Sequence, residues 1–161
     1  KRMSLELQKK GYSQNQSDEL AAKHIKITLD IGHLALWWRY FSAYPHLKQE
    51  ERLTIFNQWV IQQCRDLLRS GLVGHVHWSN NDGYADEHNI LAGGILSYKQ
   101  IVQVFEEEGY QGVIILETQS NGDFLRGFYY SCKFLGLLPK ISEELIKSEG
   151  LAISIRTLMD N

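Results

Sequence analysis

Short apolar stretches of the chain show the pattern of β-strands. Residues 25–33, Ile-Lys-Ile-Thr-Leu-Asp-Ile-Gly-His, are rich in β-branched side chains, and residues 72–78 alternate in character until a polar segment begins. Residues 112–117 form a nearly continuous apolar run of the kind that is buried on both faces of a parallel sheet. A shorter alternation at residues 3–8 predicts one more strand ahead of these three.

Helical periodicity separates the predicted strands. Apolar positions that recur at three and four predict a long amphipathic helix over residues 48–68. Ser17 is the expected N-cap of a shorter helix that ends near His24. Further helices are predicted at residues 98–109, 124–135 and 142–147.

The alternation of strands and helices predicts an α/β fold with a parallel sheet and helical crossovers. Each predicted strand has an ionisable residue at its carboxyl end: Glu6, Asp30, His77 and Glu117. In an α/β barrel of the TIM type the carboxyl ends of the strands meet at one mouth, where catalytic groups gather. Four strands are half of such an eight-stranded barrel, so the sheet would have two open edges.

Imidazole and carboxylate groups are concentrated in residues 75–88, at the end of one predicted strand and in the loop after it. At a strand's carboxyl end they suit Zn²⁺, Mn²⁺ or Mg²⁺. The pattern is equally compatible with ordinary strand histidines and a solvated loop, and Asp30 could simply cap the next helix. Glu117 follows four apolar residues, and a buried carboxylate needs a cation, a hydrogen-bond donor or a raised pKa.

Residues 37–44 are rich in aromatic side chains and follow the strand that ends at Asp30. Their position predicts that they form part of the mouth, where rings stack on a sugar or cover a metal. Packing in a helix core or at a subunit interface is the alternative.

Composition limits the other functions. The chain has 161 residues, 43% of them hydrophobic, and is expected to form a single domain over residues 1–161. A formal net charge of -2 without a long basic block gives no support to nucleic acid as a partner. Cys64 and Cys132 are far apart and are expected to be reduced thiols. Without an apolar run of roughly 20 residues, a cytoplasmic protein without a membrane partner is the simplest expectation.

Three motifs follow one another along the chain. They are Leu29-Asp30-Ile-Gly-His33, then His75-Val-His77 with Asn81-Asp82-Gly83-Tyr84-Ala85-Asp86-Glu87-His88, and Gly109-Tyr110-Gln-Gly112 leading to Leu116-Glu117. In order and spacing they resemble the xylose-isomerase-like (β/α)8 superfamily, which includes sugar and sugar-phosphate isomerases and epimerases and zinc-dependent AP endonucleases. The resemblance implies that residues 3–117 form the fifth to eighth strands of the barrel, with helices at the C-terminal end.

The resemblance also implies one divalent metal ion, Zn²⁺, Mn²⁺ or Mg²⁺, bound by Glu6, Asp30, His77 and Glu117. In the family's epimerases the two metal-binding glutamates remove and return the proton next to a carbonyl, and Glu6 and Glu117 would take that role. The cation would stabilise the enediolate that forms. His33 would hydrogen-bond the substrate.

In the family's nucleases His33, Asp86 and His88 match the ligands of a further zinc ion. In a one-metal isomerase Asp86 and His88 would instead orient His77 or close the pocket. The sequence therefore predicts a metal-dependent isomerase or epimerase of a sugar or sugar phosphate, with a zinc AP endonuclease and a non-catalytic half-barrel subunit as alternatives. In each case the missing half of the barrel or a second copy is expected to cover the open edges.

Overall fold

The computed structural model describes residues 1–137, so the helical pattern predicted at residues 142–147 lies outside the described part. The helices are α1 (Arg2–Lys9), α2 (Gln14–His24), α3 (Ile31–Ala35), a 3₁₀ helix (Leu36–Tyr40), α4 (Gln49–Arg69), α5 (Tyr98–Glu107) and α6 (Phe124–Phe134). The strands are β1 (Ile27–Asp30), β2 (Val73–Trp78) and β3 (Val113–Leu116).

The three strands form one parallel sheet in the order β1-β2-β3. Asp30 of β1 lies opposite His77 of β2, and His77 lies opposite Ile115 of β3. Strands that are consecutive in the sequence are therefore neighbours, and helices connect them. This arrangement confirms the predicted α/β class and fits a TIM-barrel-like fold.

One face of the sheet is packed against helices. Leu29, Val76 and Trp78 of the strands are buried, with Val76 fully inaccessible. They belong to a core that also contains Phe56, Val60 and Cys64 of α4 and Ile101, Val104 and Phe105 of α5. The hydrophobic core thus lies between the sheet and these two helices.

The opposite face of the sheet is largely open among the described residues. Thr28 and His75 pair across it, with 3.0 Å between Oγ1 and Nε2, and the side chains of Val113 and Ile115 are 57% and 39% exposed. The prediction that residues 112–117 are buried on both faces is therefore wrong for the described part of the chain. An apolar face of this kind is normally covered in a parallel sheet.

The strand predicted at residues 3–8 is wrong, because these residues lie in α1. Met3, Leu5 and Leu7 alternate in the sequence, but Met3 and Leu7 are half-buried while Leu5 is 57% exposed. The pair that is sheltered has the i, i+4 spacing of a helix face. Ser4 links α1 to α2 by donating a hydrogen bond to Asp18, a contact that the local sequence does not reveal.

The start of α2 also differs from the prediction. Ser13, and not Ser17, is the N-cap, and it forms a capping box with Gln16. Ser17 lies one turn inside the helix and is fully buried. The helix begins earlier because the capping box satisfies two backbone N–H groups at once.

The long helix α4 confirms the predicted amphipathic pattern. Phe56, Val60 and Cys64 recur every four residues and are fully buried. The side chain of Glu51 accepts a hydrogen bond of 3.0 Å from the backbone N–H of Lys48 at the start of the helix. Among the helices within residues 1–137, none combines the length and the apolar character that crossing a bilayer requires.

Cys64 and Cys132 are both unpaired, as the sequence predicts, and both are buried. Burial raises the pKa of the Cys64 thiol to about 12 and that of Cys132 to about 11. Neither cysteine is a thiolate near neutral pH, so neither is suited to nucleophilic chemistry.

One-sided packing of the sheet predicts different costs for two similar substitutions. Val76→Ala should lower the free energy of unfolding by about 2 kcal/mol, because it removes two buried methyl groups and leaves a cavity. Val113→Ala on the open face should cost less than about 0.5 kcal/mol. Urea unfolding of both variants measures the difference. Equal losses would show that the open face is covered in solution and would contradict one-sided packing.

Candidate metal centre

Asp30, His77 and Glu117 meet at the carboxyl end of the sheet. Asp30 is the last residue of β1, His77 is the second-last residue of β2, and Glu117 directly follows β3. Because the strands are parallel, all three residues lie at the carboxyl end of the sheet. Each offers one ligand atom, and these atoms all lie within 4.8 Å of one another. Two atoms that bind one Zn²⁺ at about 2.1 Å lie at most about 4.2 Å apart. The cluster is therefore close to the size of the shell around one divalent ion.

The three side chains are already held close to one another. His77 Nδ1 lies 3.0 Å from Glu117 Oε2, and both side chains are mostly shielded, with exposed fractions of 23% and 32%. The side chain of Asp30 is 19% exposed. Carboxylates gathered in a sheltered site repel one another, and a bound cation relieves that repulsion.

Asp30 has a structural role as well as a place in the cluster. Its Oδ1 accepts a hydrogen bond of 3.2 Å from the backbone N–H of His33 and so caps α3, while its Oδ2 lies 3.1 Å from His33 Nδ1. The interpretation of Asp30 as a helix cap is thus confirmed, and the same residue lies in the cluster of possible metal ligands. The next turn requires Gly32, because a Cβ atom there would overlap the Ser79 hydroxyl group.

His33, Asp86 and His88 also come together beside this cluster. His33 Nε2 lies 3.0 Å and His88 Nε2 lies 3.1 Å from the same oxygen, Asp86 Oδ2. They do not form a second group of the same compactness, since in the described part of the chain only Asp30, His77 and Glu117 have all their ligand atoms within 4.8 Å. The predicted further site is thus assembled, but more loosely than the first.

His33 lies between two carboxylates, with one ring nitrogen near Asp30 and the other near Asp86. Partial burial lowers the pKa of His33, but the hydrogen bond to Asp86 and the charges of both carboxylates outweigh burial and hold it above its ordinary value. Burial raises the pKa of Asp86, and the hydrogen bonds from His33 and His88 outweigh that effect and hold it below its ordinary value. A cationic His33 can donate to both carboxylates, whereas the neutral ring has one N–H to donate.

His88 is held in a backbone conformation that few residues other than glycine adopt, with φ of 52°. Its Nδ1 lies 3.1 Å from the carbonyl oxygen of Glu117. A carbonyl oxygen only accepts, so Nδ1 carries a hydrogen, and Nε2 donates to Asp86 only when the ring carries a second hydrogen there. A proton or a cation is needed between these two atoms. A ring N–H bonded to a backbone carbonyl is also the usual support of a metal-binding histidine.

Asn81 organises the loop that carries Asp86 and His88, a role that the sequence analysis missed. It is fully buried; its Nδ2 donates to the Gly32 carbonyl at 2.9 Å and to Asp86 Oδ1 at 3.3 Å. Its Oδ1 accepts hydrogen bonds of 2.9 Å from the backbone N–H groups of Glu87 and His88. The available signal was an amide side chain close behind an apolar strand, because a buried amide there must find partners.

Glu6 does not belong to the cluster. It lies in α1, its side chain is 58% exposed, and it pairs with Lys9 at 2.7 Å. Its assignment as a ligand and as an acid or base rested on a strand that ends beside the other three, and that strand is a helix. The described residues therefore bring together three of the four side chains that the sequence predicts as ligands.

If these three residues bind one ion, removing any of them should weaken binding strongly. Asp30→Asn, His77→Gln and Glu117→Gln should each reduce the affinity for Zn²⁺ or Mn²⁺ by more than about 100-fold, since even residues that only support a ligand change affinity by about 10–100-fold. Titration calorimetry of metal-stripped protein measures the affinity.

Asp82→Asn is the matched control, because Asp82 is an exposed carboxylate of the same loop outside the cluster. Its affinity should equal that of the unaltered protein. Full affinity in all three cluster variants would show that the ion binds elsewhere.

Known proteins resemble this chain over most of its length. A protein of Methanocaldococcus jannaschii (strain ATCC 43067), described as uncharacterized, is 35% identical over 127 residues, which are 78% of this chain and 37% of that protein. The chain thus spans little more than a third of this curated relative. No solved structure matches it significantly. The family model of the xylose isomerase-like TIM barrel matches residues 13–137, so the resemblance seen in the motifs is confirmed and the chain belongs to the xylose isomerase-like TIM barrel family.

Proposed function

We propose that the protein is a divalent-metal-dependent isomerase or epimerase of a sugar or sugar phosphate. The observation that carries the proposal is the meeting of Asp30, His77 and Glu117 ligand atoms within 4.8 Å at one edge of the sheet. Membership of a family that includes isomerases, epimerases and endonucleases supports an enzymatic role. A TIM-type barrel binds its substrate at this edge.

The donor set suits the metals of such enzymes. Two carboxylates and one imidazole are ligands that Zn²⁺ and Mn²⁺ accept readily. Three protein ligands are also the pattern of catalytic zinc sites, in which a further position is left for water or substrate. A bound divalent ion would polarise the carbonyl and hydroxyl oxygens of the sugar and stabilise the enediolate.

The side chains in and around the cluster have different roles in the proposed reaction. Glu117 accepts the proton from the carbon next to the carbonyl, because it is the cluster's carboxylate that lies beyond a strand end and is still 32% exposed. His33 is 54% exposed, and both of its ring nitrogens face carboxylates, Asp30 and Asp86. A substrate oxygen therefore accepts a hydrogen bond from His33 only by replacing one of these carboxylates. Glu6 is not placed to return the proton on the other side. That role falls to a group outside residues 1–137.

The second candidate function is a zinc-dependent nuclease that resembles the family's AP endonucleases. The contact of His88 Nε2 with Asp86 Oδ2 at 3.1 Å favours it, because a further cation would satisfy both atoms beside the first metal. A formal net charge of -2 does not favour strong attraction to DNA phosphates, because such binding depends on an excess of Lys and Arg. The isomerase therefore stands first.

The open face of the sheet bears on both functions and on a non-catalytic half-barrel. Val113 and Ile115 remain exposed there, and a barrel would enclose them. We propose that the other half of a barrel, supplied by residues outside 1–137, covers this face. The site would then lie at the mouth of a closed barrel and be less exposed to water, which strengthens the charge interactions within it.

Proton exchange tests the assignment of Glu117. The protein loaded with Mn²⁺ or Zn²⁺ should exchange the C–H proton next to the carbonyl of its substrate with deuterium from the solvent, as followed by NMR over a panel of sugars and sugar phosphates. Glu117→Gln, assayed with its metal content measured, should exchange about 10²–10⁴-fold more slowly, the usual effect of losing a general base. Asp82→Asn should leave the rate unchanged.

The two candidate functions give different results in this assay. Normal exchange by metal-loaded Glu117→Gln would contradict its role as the base. Cleavage of DNA at abasic sites, without exchange on any sugar, would replace the isomerase by the nuclease.

A further inference from the structure

We propose that an open pocket between the chain segments that follow β1 and β2 binds the phosphate group of the substrate. The pocket has a volume of about 350 Å³ and lies between the segment that follows α3, the first turn of α4 and the loop after β2. Its volume is within the range of small-molecule sites. The link to a sugar substrate rests on the proposed function, but phosphate binding itself does not.

Two arginines without a counter-ion line this pocket. Arg39 and Arg52 are both in its wall, and no carboxylate among residues 1–137 lies within ion-pair distance of either. Arg65 and Arg69, in contrast, pair with glutamates near the end of α5 at 2.7 and 2.8 Å. Two uncompensated guanidinium groups in one concave surface create a positive potential that attracts an anion.

The guanidinium group of Arg52 is held in place before any ligand arrives. Its Nη2 donates a hydrogen bond of 2.6 Å to the carbonyl oxygen of Phe41, and its centre lies 5.4 Å from the Trp38 ring. Its Nε is buried and has no hydrogen-bond partner among the described residues. A buried N–H without an acceptor is costly, so the described residues satisfy this guanidinium group only in part.

Arg39 supplies hydrogen-bond donors that residues 1–137 use only weakly. Its guanidinium group lies 5.4 Å from the ring of Tyr40, and its Nη1 is 3.5 Å from the Tyr84 carbonyl oxygen, which is longer than a normal hydrogen bond. The side chain is exposed and is free to turn towards a ligand. An anion bound between Arg39 and Arg52 would accept hydrogen bonds from the guanidinium N–H groups that line the pocket and would balance both charges.

The donors in the pocket match a phosphate monoester better than a carboxylate. Ser42 and Gln49 add a hydroxyl and an amide to the two guanidinium groups, and no carboxylate lines the pocket within the described residues. A phosphate monoester has three terminal oxygens and a charge of about -1.5 to -2 at neutral pH, whereas a carboxylate has two oxygens and one charge. The planar guanidinium group of arginine can bind two phosphate oxygens at once.

The pocket shares its two loops with the metal centre. Arg39 lies in the 3₁₀ helix that directly follows α3, the helix capped by Asp30. Tyr84, which also lines the pocket, stands two residues before Asp86. The pocket and the cluster thus lie on segments that follow the same two strands, and in the proposed complex the carbonyl end of the substrate is at the cluster and its phosphate is in the pocket.

Inorganic phosphate is the probe that tests the pocket without the reaction. In metal-stripped protein the cluster of carboxylates repels phosphate, so calorimetric binding at constant ionic strength reports on other sites. We expect saturable phosphate binding that is weakened at least tenfold by Arg39→Gln and by Arg52→Gln. Arg126→Gln is the matched control, because Arg126 is exposed and lies 5.9 Å from the Tyr130 ring outside the pocket. It should bind phosphate normally.

Arg39→Gln keeps the test valid if Arg52→Gln fails to fold, since Arg39 is exposed and its one hydrogen bond is long. Absence of saturable binding to the unaltered protein, or the same loss in Arg126→Gln, would overturn the pocket. Displacement of phosphate by a short abasic DNA duplex but not by ribose 5-phosphate or glucose 6-phosphate would also overturn it.

The metal-loaded protein separates this proposal from the proposed function. With its sugar phosphate, Arg39→Gln should raise KM about tenfold and leave kcat unchanged, and KM for the same sugar without phosphate should not change. An unchanged KM for the sugar phosphate would overturn the pocket alone. Specific phosphate binding without proton exchange on any sugar would overturn the isomerase and leave the pocket standing.

Discussion

Parallel pairing of three strands is the constraint on which the site depends. The register sets Asp30 beside His77, and Glu117 directly follows β3, with its backbone N–H bonded to the Trp78 carbonyl at 3.0 Å. The hydrogen bonds of the sheet thus fix the spacing of the cluster. The buried face against α4 and α5 keeps that register, because a slip by one residue would turn Leu29 and Val76 out of the core. Packing of the buried face of the sheet thus stabilises the positions of the cluster residues.

The loops after the strands hold further ionisable side chains next to the cluster. Asn81 ties the loop of Asp86 and His88 to the Gly32 carbonyl, and His33 bridges Asp30 to Asp86. Carboxylates and imidazoles therefore alternate along one connected chain of contacts. Such a chain holds ligands in place before an ion binds and lowers the cost of ordering them.

The sequence could predict the elements whose signals are local. Periodicity marks α4 and β1 to β3, and the ionisable residues at strand ends predict the cluster once parallel pairing is assumed. Residues 3–8 fit both the strand and the helix period, and the contact between Ser4 and Asp18 that accompanies the helix is distant in sequence. The partners of Asn81 and the pairing of Arg39 with Arg52 around one pocket have no periodic signal, since tertiary packing alone brings them together.

The most direct measurement of the central claim is a crystal structure of the zinc-loaded protein with anomalous diffraction recorded at the zinc edge. The account predicts one strong anomalous peak within about 2.0–2.2 Å of ligand atoms from Asp30, His77 and Glu117. An ion bound away from these three side chains, or a structure in which they point to different places, would contradict it.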